Sequence, residues 1–198
     1  GIQNNLPRAI QTSETALLFM QYILRSLKTN GRCGIIVPNG FLLAKGVAEK
    51  VRKEILDNYR LEAVVRLPKG VFEPYTDIQT NVLFISNQPP LKKIWYYSLP
   101  LPEGRSTYTK TKSIEYEEFN ECKALIDQKI DSKNSWSVDI REIEENNYNL
   151  DIKNPEDSSK KIPNPLSLHN DLVASISKMK DVISEIDPDL YGLLDLSK

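Results

Sequence analysis

The chain has 198 residues, 40% of them hydrophobic and 27% charged, with only 8 Gly against 12 Pro. That is enough apolar surface for one medium domain or two small ones, and it excludes a disordered, collagen-like or low-complexity polypeptide. No apolar run approaches the ~18 residues of a membrane span and the first residues carry no signal-peptide pattern, so the expectation is a cytoplasmic protein with no membrane partner. Two cysteines 89 positions apart, Cys33 and Cys122, and a single histidine, His169, offer neither a disulfide framework nor metal-ligand spacing. Zinc chemistry and Ser-His or Cys-His catalysis are therefore not expected, and no metal site is assigned. The net charge of −1 conceals a polarised molecule. Residues 1–99 hold 13 Lys/Arg against 7 Asp/Glu, net +6, and residues 100–198 hold 13 against 20, net −7. Any nucleic-acid contact belongs to the basic first half.

The chain opens on Gly1-Ile2-Gln3 without an initiator Met, as a processed or excised product would. Thr12-Ser13 before Glu14 marks a helix start, since a hydroxyl can accept the first free N–H groups. Ala16, Phe19, Met20, Ile23, Leu24 and Leu27 then recur at helical spacing. The helix is expected to reach Lys28 and to stop at Asn30-Gly31. Gly34 to Val37 is a short β-branched run ended by Pro38, expected as a strand buried on both faces of a parallel sheet. A second helix is read from Val47, Val51 and Ile55, followed by strand 61–67, so strand, helix and strand form a βαβ unit. Strand 80–86 comes next, after the 12-residue loop Pro68 to Gln79; loops of that length in an α/β domain are often functional. A connection without a helix cannot make a parallel crossover, so strand 80–86 is expected between strands 33–37 and 61–67, antiparallel to both. Lys93 to Tyr97 reads as one more strand, Glu117 to Ile130 as a helix and Trp136 to Val138 as a brief strand. Residues 146–151 are turn-rich, and Asp157 to Pro165 looks like a linker. Leu168, Leu172, Ile176, Met179, Ile183 and Ile186 form a narrow apolar seam on a terminal helix that requires a partner. The boundaries fall at 1–99, 100–156 and 157–198.

An open α/β sheet binds its ligands at the carboxyl ends of its strands. Two loops leave those ends, Pro38-Asn39-Gly40-Phe41 and Pro68 to Thr76. The longer one combines a glycine, two prolines, Lys69 and two aromatics, Phe72 and Tyr75, that no apolar pattern buries. Such a loop can stack a planar ring, or its aromatics can plug it onto the core. No GxGxxG, Walker, GxSxG or paired-carboxylate motif occurs. A nicotinamide-dependent oxidoreductase is accordingly disfavoured.

Residues 12–85, and in particular VRLPKGVFEPYT at 65–76, resemble the modification (methyltransferase) subunit of type I restriction–modification systems, the adenine-N6 DNA methylases. KKIWYY at 92–97, TYTKTKSI at 107–114, EEFNECKA at 117–124 and NNYNLDIKNP at 146–155 follow in the same order. The resemblance implies an α/β fold: the last three strands of a Rossmann-like methyltransferase core in a mixed sheet, then a mainly helical C-terminal region that assembles subunits. It implies methyl transfer from S-adenosylmethionine to a flipped adenine. The glycine-containing cofactor turn and the Asn-Pro-Pro-aromatic tetrad are not in these residues, so this chain alone is expected to be inactive and to bind no cofactor. Phe72 takes the position of the aromatic that stacks on the extruded base, with Tyr75, Thr76 and Lys69 flanking it and Asn39 lining the pocket. Arg66, Lys45, Lys50 and Lys53 are candidate DNA-backbone contacts. The implied partners are DNA and the specificity and restriction subunits, and the edge of strand 33–37 invites self-association. The alternative is a non-catalytic assembly and DNA-contact module that binds the specificity subunit.

Overall fold

The computed structural model describes residues 10–156 and 165–186. The chain divides into two compact units, Gly1–Glu156 and Asp157–Lys198. In the first unit, helix α1 (Thr15–Ser26) buries Leu17, Met20, Gln21 and Leu24 along one face. Gln21 is tolerated there because its amide donates to the carbonyls of Ile10 and Leu17 at 3.1 and 3.2 Å. Thr12 Oγ1 accepts from Glu14 N rather than from a helical N–H, and α1 ends two residues before Lys28. Asn30, at φ 60°, carries the chain into β1 (Arg32–Pro38).

A five-residue helix, α2 (Asn39–Leu43), follows β1 without a break and buries Phe41 and Leu42. It is too short to show a period, and the sequence there reads only as a turn. Helix α3 (Val47–Asn58) buries the expected Val51 and Ile55 together with Ala48, Arg52 and Leu56. Strands β2 (Arg60–Arg66), β3 (Thr80–Ser86), β4 (Lys93–Ser98) and β5 (Ser135–Asp139) complete one sheet in the order β1-β3-β2-β4-β5.

As expected, β3 lies between β1 and β2 and runs antiparallel to both. Strand β2 pairs parallel with β4, and β5 closes the far side antiparallel to β4. The expectation that β1 is buried on both faces is corrected. Among the described residues it pairs only with β3, at the sheet edge, and Ile36 is 52% exposed. Cys33, Ile35 and Val37 face the apolar layer under the helices, whereas the layer on the opposite face takes in Val82 and Phe84 of β3 but no residue of β1, so the face carrying Ile36 is left uncovered.

The helix expected over Glu117–Ile130 is a 3-10 turn (Tyr116–Phe119), capped reciprocally by Glu115 and Glu118, then α4 (Asn120–Ile126). Helix α5 (Ile140–Glu145) starts where Asp139 accepts from Arg141 N at 3.0 Å. One apolar layer joins α1, α2 and α3 to the sheet through Leu61, Val64, Leu83, Ile85 and Tyr96. The other, around Ala63, Val65, Leu67, Trp95, Tyr97 and Cys122, takes in Phe119, Leu125 and Ile126. In the second unit, α6 (Pro165–Ile186) is a single 22-residue helix. The expected linker, apart from Pro165, lies outside the described residues. No described helix is long and apolar enough to cross a membrane.

Candidate functional site

Because β1, β2 and β4 point the same way, Pro38, Arg66 and Ser98 end at one border of the sheet. Register sets Pro38 opposite Thr80 and Arg66 opposite Asn81. Arg66 is 8% exposed, and a guanidinium at that depth needs partners. Its Nη2 donates to Asp151 Oδ1 at 2.5 Å and lies 3.5 Å from Asn39 Oδ1, while Nη1 donates to the Ile152 carbonyl at 2.9 Å. Asn81 Nδ2 donates to the same Asn39 oxygen at 3.3 Å. Asn39 N donates to the Gln79 carbonyl at 2.8 Å. Four polar side chains from four segments thus converge on the strand ends.

Asp151 is delivered there by a turn in which Asn147 and Tyr148 adopt φ of 53° and 56°. Arg52, 1% exposed, clamps that turn to α2. It donates to the carbonyls of Tyr148, Phe41 and Ala44 at 2.6, 2.7 and 2.8 Å. Burial lowers its pKa, opposed by nearby Glu49. Leu150 N, next to Asp151, donates to the Leu42 carbonyl at 2.9 Å.

The loop after β2 is closed at its base, where Leu67 N donates to the Thr80 carbonyl at 3.0 Å and Gln79 Nε2 to the Leu67 carbonyl at 3.1 Å. Tyr108 N and Thr107 Oγ1 both donate to the Lys69 carbonyl. Gly70, at φ +79°, lies so close to that segment that a Cβ would fall 2.3 Å from the Tyr108 carbonyl oxygen. Beyond it the chain curls tightly, with Tyr75 N and Thr76 N donating to the Phe72 carbonyl and Ile78 N to Thr76 Oγ1. The bend includes a cis Glu73–Pro74 peptide.

The two aromatics part company here. Phe72, which no apolar pattern in the sequence buries, is half-buried and packs against the layer around Trp95 and Tyr97. Tyr75 is 92% exposed. Thr76 is half-buried and Lys69 is exposed.

Of the remaining basic residues, Lys45 and Lys50 are exposed. Lys53 donates to Tyr148 Oη at 2.9 Å and pairs with Asp57 at 3.0 Å, and the tyrosine hydroxyl, then the aspartate, raises its pKa. Arg66, expected as a phosphate contact, is occupied by Asp151 and the Ile152 carbonyl. Sequence reading missed Asn81, Asp151 and Arg52. The signal for Arg52 was a charge among the apolar Val51 and Ile55, and the signal for an acceptor such as Asp151 was Arg66 ending the apolar strand VVR, since buried cations require acceptors.

Among the described residues there is no group of three His, Cys, Asp or Glu able to hold a metal. Nor is there a strand-end turn of successive glycines that would present backbone N–H groups to a nucleoside cofactor.

Residues 4–162 match a protein family described as N-6 DNA methylase. The methylase subunit of the Escherichia coli type I restriction enzyme EcoEI is 41% identical over 163 residues, 78% of this chain and 33% of that protein. Among solved structures, a modification subunit of a putative type I restriction enzyme from Vibrio vulnificus YJ016 aligns with a TM-score of 0.74 at 44% identity, over 79% of this chain and 35% of that one. A chain from a study of complex assembly and conformational transition of the type I R-M system gives 0.75 at 33% identity, over 96% and 42%. This chain therefore spans about a third of the length of the EcoEI subunit.

Proposed function

Because the chain belongs to the N-6 DNA methylase family, we propose that it forms the target-base side of an adenine-N6 DNA methyltransferase acting in a type I restriction–modification complex. The observation that carries this reading is the loop 67–79. It is pinned at its base, where Asn39 N also donates to the Gln79 carbonyl, and at Lys69, and it leaves Tyr75 exposed and Phe72 half-buried. An adenine turned out of the duplex stacks on such a surface, at a gain of roughly 1–3 kcal/mol per base. The adenine amine is the nucleophile, and S-adenosylmethionine is the methyl donor that this reading requires. This chain's own residues act on the base: they stack it, keep water from one of its faces and orient its edge.

Lys69, Lys45 and Lys50 supply positive charge for DNA phosphates. Lys53 joins them with a cation already shared with Asp57. Replacing any one of these lysines by alanine should flatten the salt dependence of DNA binding by about one unit of log–log slope.

A second reading, a non-catalytic assembly and DNA-contact module for the specificity and restriction subunits, draws support from α6. Leu172, Val173, Ile176, Met179 and Val182 are all exposed on it. The test uses a methylase that carries these residues, methyl-labelled S-adenosylmethionine and duplex DNA, with nucleoside analysis of the product. N6-methyladenine that falls with Tyr75→Ala is the expected result. Methylcytosine, or folded holoenzyme that transfers no methyl group, overturns the proposal and leaves the assembly reading.

A further inference from the structure

The junction of Asn39, Arg66, Asn81 and Asp151 has a chemical polarity that stacking does not use. A guanidinium has donors and no acceptor, so the Asn39 group nearest Arg66 is its carbonyl oxygen. The reverse amide orientation would set N–H against N–H. Asn81 Nδ2 converges on the same oxygen, and Arg66 is held in place because its Nη2 also donates to Asp151 and its Nη1 donates to the Ile152 carbonyl. Asn39 is half-exposed at the carboxyl end of β1. With its oxygen committed, its only remaining side-chain group is the Nδ2 amide, which has no acceptor among the described residues.

A residue in that state can only donate. It cannot receive the hydrogens of an adenine N6 amine, and so it takes no part in activating the nucleophile. It can address a ring nitrogen. Adenine N1 is an acceptor that becomes free when the base leaves its pair, and the same position in guanine is a donor. An N–H held at that point accepts adenine and repels guanine.

We propose that Asn39 is a specificity-determining residue that donates from Nδ2 to N1 of the extruded adenine, with Arg66 and Asp151 as the positioning residues that fix its amide. The proposal rests on the reading of this chain as the target-base side of an adenine methylase.

The experiment is a double-mutant cycle on a methylase carrying this chain, with wild type and Asn39→Asp assayed on duplexes holding adenine, 1-deazaadenine, 3-deazaadenine or 7-deazaadenine at the target. Both kcat/KM and the duplex Kd are read. Asn39→Asp keeps an oxygen for Arg66 and Asn81, so the thermal midpoint should stay within about two degrees while the donor is lost. On adenine it should lower kcat/KM roughly 3- to 10-fold, the range for one net hydrogen bond. In 1-deazaadenine the variant and wild type should become equal, whereas the 3-deaza and 7-deaza losses should multiply with the mutation. Asp151→Asn should shrink the adenine to 1-deazaadenine ratio, which a purely structural role would leave unchanged.

Independent, multiplying effects at 1-deazaadenine, or coupling to the 3- or 7-deaza position instead, overturn the Asn39 assignment while adenine methylation itself stands. An enzyme that methylates no adenine removes the functional reading and this inference with it.

Discussion

Single side chains here separate holding the loop from using it. Tyr75 buries almost nothing, so Tyr75→Ala should move the thermal midpoint by less than about one degree. Loss of its stacking should weaken engagement of a target-position 2-aminopurine by roughly 5- to 150-fold. Phe72→Ala should do both: removing a half-buried ring from the layer around Trp95 costs about 1–2 kcal/mol, below the roughly 3–5 kcal/mol of a fully buried phenylalanine. If the midpoints change in the opposite order, with Tyr75→Ala the larger, the two rings have been assigned the wrong way round. Gly70 is the third such position. A methyl group there would enter the Tyr108 carbonyl at a φ that L residues rarely adopt, so Gly70→Ala should cost about 2 kcal/mol or more and loosen the loop. Trypsin cleavage at Lys69 reports that loosening, and a variant as resistant as wild type would contradict it.

At the level of elements, β1 is one of the two edge strands of the sheet among the described residues, the other being the shorter β5. It offers unpaired backbone groups on a strand whose Ile36 faces solvent, the pattern that recruits another strand. The chain expressed as these 198 residues should therefore self-associate in sedimentation experiments, and Ile36→Lys should shift it toward monomer while lowering its stability by no more than about 1 kcal/mol. Unchanged association in the variant would place the contact elsewhere. The connection between β2 and β3 shows how an element can be legible from what it lacks: with no helix between residues 67 and 80, an antiparallel return was required. Helices α2 and α5 are five and six residues long. Neither completes two turns, so no apolar period could announce them.

The whole molecule carries its alkaline response in buried phenols and a thiol. Burial, then adjacent Glu121, pushes the Cys122 thiol up to about 11. Burial and hydrogen bonds to Glu121 and Glu118 raise the Tyr97 and Tyr108 phenols, and burial raises Tyr96. All four are neutral when protonated and titrate higher folded than unfolded. Their stabilising effect is complete below the ordinary thiol value of 9.0 and is lost as pH rises through the folded values. The thermal midpoint should be level from neutrality to about pH 8.5 and fall steadily between about pH 9 and 11, with the onset shifted upward in Cys122→Ala. A midpoint that holds or rises across that window would show that these groups open to solvent before they titrate.

What the sequence alone determined was whatever depends on near neighbours along the chain: the faces of α1 and α3, the β-branched strands, the glycine and aromatics of the 67–79 loop, and the place of β3. Those features follow from spacing, turn chemistry and the length of one connection, which are local quantities. The tertiary structure alone decided which charges are free and which are already paired. Arg66 reads as a phosphate ligand until Asp151, 85 positions later, is brought against it, and Phe72 and Tyr75 are equivalent until one is pressed onto the sheet. Pairing between distant residues depends on register and on how a turn such as Asn146–Asn149 aims the chain, and neither leaves a periodic trace in the order of the residues.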